Sequence, residues 1–154
     1  ADGGESWSVP QPTDVPNNNS SIGVIQLTDG RLAMVCNPVN AALSPDRRLS
    51  LYDELGDDDR PEAQGGCTPI WGVPRAPMTL ALSTDEGRSF PHRILLQDGP
   101  GTCLSNNSLD GKNFEMSYPV LNQASDGSLE IAYTLHRRAI KHLRLPADQL
   151  KAPQ

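Results

Sequence analysis

The sequence predicts an all-β protein made of antiparallel strands joined by tight turns. The 154 residues include 13 glycines and 14 prolines, so turn residues are dense along the chain. No window has sustained helical periodicity, whereas several short runs alternate apolar and polar residues, as half-buried strands do. These observations favour an all-β chain with extended loops over a helical bundle or an α/β fold.

The clearest hairpin signal lies at residues 78–90. Apolar residues alternate with small or hydroxyl residues in 78–83, and the run ends in the order Ser83, Asp85, Gly87 and Phe90. Aspartate and glycine are turn formers, and we expect the aromatic ring to return over the turn. Residues 2–7 repeat the order Asp, Gly, Ser and aromatic without a strand before them, so the chain is expected to be the C-terminal portion of a longer protein.

The first part of the chain is predicted to hold one four-stranded unit. Residues 1–16 are interpreted as an outer strand of a preceding unit, at 5–12, followed by a proline-rich linker. The unit spans 17–98 and contains strands 22–27, 31–37, 78–83 and 89–97, with a loop insertion at 38–74. The turn Thr28-Asp29-Gly30 joins the first two strands as a hairpin.

The second part is predicted to hold a three-stranded unit. A loop at 99–116 precedes the unit at 117–146, which contains strands 118–124, 129–135 and 139–145 and leaves a tail at 147–154. Residues 129–135 have the best period-two alternation in the chain. Three strands leave an open edge, which we expect a strand from elsewhere in the polypeptide, or another chain, to cover.

Composition excludes several function classes. A net charge of −6 opposes general nucleic-acid binding, which needs clustered Lys and Arg. No apolar run approaches the roughly 20 residues of a membrane-spanning helix. The three cysteines lack metal-ligand spacing, so no metal is expected. No cofactor is expected either. Cys36 follows a strand-like run and is interpreted as a buried free thiol, while Cys67 and Cys103 could form a disulfide in an oxidising compartment.

The pattern at Ser83–Phe90 resembles the Asp box of sialidase-type propellers. Further matching stretches lie at residues 18–31, 75–83 and 117–142, and together they resemble the sialidase-like (neuraminidase-like) family of BNR, or Asp-box, repeat proteins. The resemblance implies that the two units are C-terminal blades of a propeller, expected to have six blades of four antiparallel strands. The rest of the propeller, or another chain, would then be needed to close the ring.

The resemblance also implies a site. Tyr118 matches the position of the family's nucleophile, and Arg75 matches an arginine that binds the substrate carboxylate; Asn19, Ser20 and Arg138 are further candidates for substrate binding. Alternation of strand direction places the start of strands one and three of each blade at the same mouth. Residues 17–21, Arg75 and Tyr118 should therefore share one mouth, with the Asp boxes opposite.

Two family residues are missing. A glutamate near the first strand of the 17–98 blade and an arginine near the end of its second strand are expected, but this chain has Asn19-Ser20-Ser21 and Asn37 there. Glu115 is a candidate substitute base, although a glutamate on a loop surface is the simpler interpretation. Arg137 and Arg138 are interpreted as residues of an exposed hairpin turn, with ligand contact as the alternative.

The leading hypothesis is a retaining glycoside hydrolase that acts on acidic, sialic-acid-type glycans through Tyr118. The alternatives are a non-catalytic glycan-binding or structural propeller subunit, and a carbohydrate enzyme of other specificity such as a uronic-acid polysaccharide lyase. The expected partner is an acidic carbohydrate rather than nucleic acid or a membrane core. The expected location is a secreted, periplasmic or organelle-lumen compartment.

Overall fold

The computed structural model describes residues 2–46, 72–102 and 114–151. These residues form two antiparallel sheets of four and three strands with almost no helix, so the predicted all-β class is confirmed. Most of the predicted 38–74 insertion, including Cys67, lies outside the described residues, as does Cys103.

The first sheet has the order β1-β2-β3-β4. Its strands are β1 (Gly23–Gln26), β2 (Leu32–Cys36), β3 (Met78–Ser83) and β4 (His92–Gln97). Every residue of β3 is buried, as expected for a central strand. Strand β4 begins three residues later than predicted, because Ser89 still belongs to the preceding turn and Pro91 has no N–H to donate.

The second sheet has the order β5-β6-β7. Its strands are β5 (Met116–Gln123), β6 (Leu129–Leu135) and β7 (Ala139–Leu145), so the bounds of β6 and β7 agree with the predicted ones. Strand β5 begins at Met116, which the prediction assigned to the 99–116 loop. Its register against β6 shifts between Ser117 and Val120, so that a bulge interrupts the strand near its start.

The two sheets use the same hairpin turn at equivalent positions. Gly30 has φ 89° and Gly127 has φ 82°, a left-handed conformation that glycine adopts without a steric penalty. Within each turn the glycine N–H donates to the carbonyl oxygen three residues earlier, Leu27 in one turn and Ala124 in the other, at 2.9 Å. The predicted Asp-Gly turn at residues 28–30 is therefore confirmed, and Asp126 and Gly127 form the same turn in the second sheet.

The Asp-box hairpin between β3 and β4 is held by its own side chains. The Ser83 hydroxyl accepts from the Gly87 N–H at 2.9 Å and donates to Asp85 Oδ1 at 2.7 Å. Asp85 in turn accepts from the Ser89 N–H at 2.9 Å and the Ser89 hydroxyl at 2.6 Å. These bonds lower the pKa of Asp85 to about 2. Phe90 is buried, as predicted for the ring of this motif.

The larger of two apolar clusters in the described residues joins the sheets, and strand β1 lies against β5. A Cβ atom on Gly23 would be 2.8 Å from the Leu121 side chain and 2.9 Å from the Pro119 carbonyl oxygen, so this close approach requires glycine. Buried residues of both sheets share the cluster, among them Val35, Met78, Leu80, Met116, Leu129, Ile131 and Tyr133.

The two ends of the described chain differ from the prediction. Residues 5–12 form no strand, because Pro10 and Pro12 cannot donate and no partner strand lies beside them in the described part of the chain. The predicted tail contains a 3₁₀ turn at Ala147–Leu150 that buries Leu150 in the shared core. The Arg31 guanidinium donates to the Leu150 carbonyl oxygen at 2.5 Å, which ties this turn to the first sheet.

Candidate functional site

The segments that carry the candidate residues meet where the two sheets join. Arg75 and Glu115 form an isolated parallel bridge just before β3 and β5 begin. The Arg75 N–H donates to the Phe114 carbonyl oxygen at 3.0 Å, and the Met116 N–H donates to the Arg75 carbonyl oxygen at 2.8 Å. The bridge fixes the main chain before β3 against the main chain before β5.

Arg75 and Tyr118 lie side by side at this junction. The Arg75 guanidinium carbon is 5.6 Å from the centre of the Tyr118 ring, a cation–π distance. Tyr118 lies in the β5 bulge with φ 56°, and its residue surface is 56% exposed. A left-handed tyrosine costs of order 1–3 kcal/mol, and such strain concentrates at functional sites. The bulge thus presents the phenol beside the guanidinium.

Glu115 is a buried carboxylate shared by two arginines. It is only 1% exposed, and its Oε1 lies 3.3 Å from Arg75 Nη1 and 2.6 Å from Arg137 Nε. Its interpretation as a glutamate on a loop surface is therefore wrong. The physical reason is that an ionised carboxylate can be buried when cations pair with it, and these cations come from 40 and 22 residues away in the chain.

The turn between β6 and β7 is built around Glu115. His136 and Arg137 both have φ 52°, the conformation of a type I′ turn, which asparagine and glycine usually occupy. The Glu115 carbonyl oxygen accepts from the His136 N–H at 2.7 Å while its side chain holds Arg137. Glu115 therefore holds both residues of the turn that have a left-handed backbone conformation. Arg138 is exposed, as predicted for this turn. The prediction of an exposed Arg137 is wrong, because its side chain is only 19% exposed and pairs with Glu115.

An open pocket lies between Tyr118 and this turn. Its volume is about 590 Å³, and its lining consists of Tyr118, Thr134, Arg137, Arg138, Ala139 and Ile140. The Arg138 Nε donates to the Thr102 carbonyl oxygen, which steadies the guanidinium at the pocket wall. The pocket therefore combines an aromatic ring, cationic groups and a short apolar stretch.

Two asparagine amides hold the main chain around Arg75. Asn18 Nδ2 donates to the Pro74 carbonyl oxygen at 2.9 Å. The buried Asn37 donates through Nδ2 to the Pro77 carbonyl oxygen at 3.0 Å and to the Met116 carbonyl oxygen at 3.2 Å. Asn37 occupies the place where the family resemblance led us to expect an arginine, and here it connects the two sheets.

Asn19 and Ser20 lie on the loop beside Pro74. The Asn19 N–H donates to Asn17 Oδ1 at 2.7 Å, and Asn19 has φ 60°, which asparagine tolerates better than most residues. The Ser20 hydroxyl oxygen is buried and has no hydrogen-bond partner among the described residues. Direct contact with the Arg75 segment comes from Asn18, which the sequence did not single out. Substrate binding by Asn19 and Ser20 stays a prediction.

His136 lies beside Glu115 in the turn between β6 and β7. Burial lowers its pKa below 6.5, with Arg138 acting in the same direction and Glu115 opposing. The imidazole is packed against Gly101, where a methyl group in place of the glycine hydrogen would collide with it. The ion pairs at the junction join Arg75 and Arg137 to Glu115.

The described residues carry neither a metal centre nor a membrane-spanning helix. The part of the chain that the structure describes contains no group of three or more His, Cys, Asp or Glu side chains able to hold a metal ion. Within it, no helix is long and apolar enough to cross a membrane.

Two sheets with Asp-box and Asp-Gly hairpins define a blade-type repeat protein. Comparison with protein families agrees: the model for the BNR repeat-like domain matches residues 1–131. The chain belongs to this family of sialidase-like BNR repeat proteins. Searches of curated proteins and of solved structures found no match.

Proposed function

We propose that this chain supplies part of the active site of a sialidase-like glycoside hydrolase that acts on acidic glycans. The observation that carries the proposal is the 5.6 Å contact between Arg75 and the Tyr118 ring. A guanidinium beside an exposed phenol suits a sugar whose carboxylate adjoins its anomeric carbon. Family membership supports the same class of protein.

Arg75 would bind the substrate carboxylate. A guanidinium has five N–H donors, and in the described residues Arg75 directs one nitrogen, Nη1, to Glu115 at 3.3 Å. Arg–carboxylate pairs are often bidentate, which fixes the orientation of the sugar as well as its position. Because Glu115 already pairs with two arginines, we assign it to positioning the guanidinium groups rather than to proton transfer.

Tyr118 would be the nucleophile. After a base supplied by another part of the protein takes its proton, the phenolate oxygen bonds to the anomeric carbon. The glycosidic C–O bond breaks, and its electron pair leaves on the departing oxygen, which an acid protonates. Water then cleaves the tyrosyl–sugar bond with retention. Because the phenol is neutral until the base takes its proton, the resting side chain does not repel the carboxylate of the bound sugar.

The test is the turnover of 4-methylumbelliferyl N-acetylneuraminide by the full-length protein and by Tyr118→Phe. We expect turnover by the wild type and loss of at least about 10³-fold in the variant, because the covalent route is removed. Tyr133→Phe is the matched control. The Tyr133 hydroxyl is buried without a hydrogen-bond partner in the described residues, so its removal should leave turnover unchanged. Full activity of a folded Tyr118→Phe protein would refute the mechanism.

A non-catalytic glycan-binding subunit is the second candidate. It is favoured by Asn37, which stands where the resemblance implies an arginine and is committed to main-chain carbonyl groups. A full-length protein that binds N-acetylneuraminic acid, loses binding in Arg75→Gln, and hydrolyses no sialoside would support this candidate over the hydrolase.

A further inference from the structure

We infer that the pocket between Tyr118 and the β6–β7 turn binds a second acidic sugar unit, so that the ligand is an oligomer of sugar acids. The inference rests on the proposed function, in which Arg75 holds the carboxylate of the first unit. It assigns Arg138, a candidate for substrate binding, to a second sugar unit rather than to the unit held by Arg75.

The pocket is adjacent to the Arg75 site and separate from it. Tyr118 both lines the pocket and contacts Arg75, whereas Arg75 is absent from the pocket lining. A sugar bound at Arg75 and Tyr118 would therefore direct its neighbouring unit into the pocket. The volume of about 590 Å³ is within the range of small-molecule sites and accommodates one pyranose ring.

Arg138 gives the pocket its preference for an anion. Arg75 and Arg137 share the Glu115 carboxylate, but Arg138 has no ion pair among the described residues. Its guanidinium is steadied by the Thr102 carbonyl oxygen and keeps its remaining donors. The site thus presents a cation although the whole chain carries a net charge of −6. A carboxylate on the second sugar would pair with Arg138.

The apolar wall suits the body of a sugar ring. Ile140 is 77% exposed beside Ala139, and both residues line the pocket together with Tyr118. A pyranose has C–H groups that pack on such surfaces while its polar groups face donors and acceptors.

The experiment is isothermal titration calorimetry on the full-length protein with two pairs of probes. One pair is N-acetylneuraminic acid and its α2,8 dimer joined by a sulfur atom, which a glycoside hydrolase does not cleave at a comparable rate, and the other is galacturonic acid and digalacturonic acid. The pairs share the chemistry of a ring bearing a carboxylate, and the pair that binds identifies the sugar. We expect the dimer of that pair to bind about tenfold more tightly than its monomer, because its second carboxylate gains a charge-assisted hydrogen bond to Arg138.

The variants separate the two subsites. Arg138→Gln should abolish the advantage of the dimer and leave the monomer affinity unchanged, whereas Arg75→Gln should weaken both ligands. Arg88→Gln is the control, since the exposed Arg88 belongs to the Asp-box turn. Equal affinities of wild type for monomer and dimer, or a dimer advantage that survives Arg138→Gln, would overturn the second subsite alone. Failure of all four probes to bind would overturn the proposed function, and the subsite with it.

Discussion

Replacement of Glu115 by glutamine should destabilise the protein by about 3 kcal/mol. The side chains of Arg75 and Arg137 are 15% and 19% exposed, so loss of the carboxylate would leave two mostly buried guanidinium groups without their shared counter-charge. Removal of one partner from a fully buried ion pair costs about 3–5 kcal/mol. Partial solvation of the arginines reduces this cost, while the presence of two of them raises it.

The assay is urea unfolding of Glu115→Gln and of a matched control, followed by circular dichroism. Glu86→Gln makes the same chemical change at a side chain that is 89% exposed, where an ion pair with Arg88 contributes about 0–1 kcal/mol. A double-mutant cycle with Arg137→Gln should give a coupling energy of at least about 1 kcal/mol. A Glu115→Gln protein within about 0.5 kcal/mol of wild type would refute the shared-carboxylate account.

Three further predictions concern residues around the site. Asn37→Ala should cost about 2–3 kcal/mol in urea unfolding, because the carbonyl oxygens of Pro77 and Met116 lose a buried donor; a neutral effect would contradict this role. The hydrogen bonds in the Asp-box turn lower the pKa of Asp85 from 3.8 to about 2, so the ionised carboxylate should stabilise the fold above pH 3.8 and lose this effect as the pH falls toward 2. Asp85→Asn should therefore flatten the dependence of Tm on pH between pH 3.8 and about pH 2. An unchanged slope in the variant would contradict this role. Burial raises the pKa of Cys36 to about 11, so iodoacetamide at pH 8 should leave the Cys36 peptide unlabelled until urea unfolds the protein; rapid labelling of the native protein would contradict burial.

The fold was predictable from the sequence where the signal is local. Ser83, Asp85, Gly87 and Phe90 form their turn from residues within one short stretch, so spacing alone identifies it. The bounds of β6 were likewise correct, because strict alternation reflects one buried and one exposed face. The predicted strand at residues 5–12 was wrong, because a strand also requires a hydrogen-bonded partner, and the described residues provide none there.

The candidate site was only partly predictable, because its geometry depends on contacts between distant segments. Arg75 and Tyr118 were found through a family pattern. Glu115 was named as a candidate base, but its burial between two arginines was not predicted, and Asn18 was missed, because both features follow from the packing of the two sheets. No spacing rule connects residues so far apart in the chain.

Backbone strain was a second feature beyond the reach of sequence patterns. Tyr118, His136 and Arg137 all have left-handed φ values, although none is glycine or asparagine. Glu115 holds the latter two through its main chain and its side chain. This concentration of strain around one carboxylate is what is expected of a preorganised binding site.

The central claim is that Tyr118, oriented beside Arg75, forms the covalent intermediate with an acidic sugar. The most direct measurement treats the full-length protein with a sialosyl fluoride that carries a second fluorine next to the anomeric carbon, which slows breakdown of the tyrosyl–sugar bond, and then maps the adduct by peptide mass spectrometry. The account predicts one sugar adduct on the peptide that contains Tyr118. An adduct on another residue, or an unmodified Tyr118 in protein that hydrolyses sialosides, would contradict it.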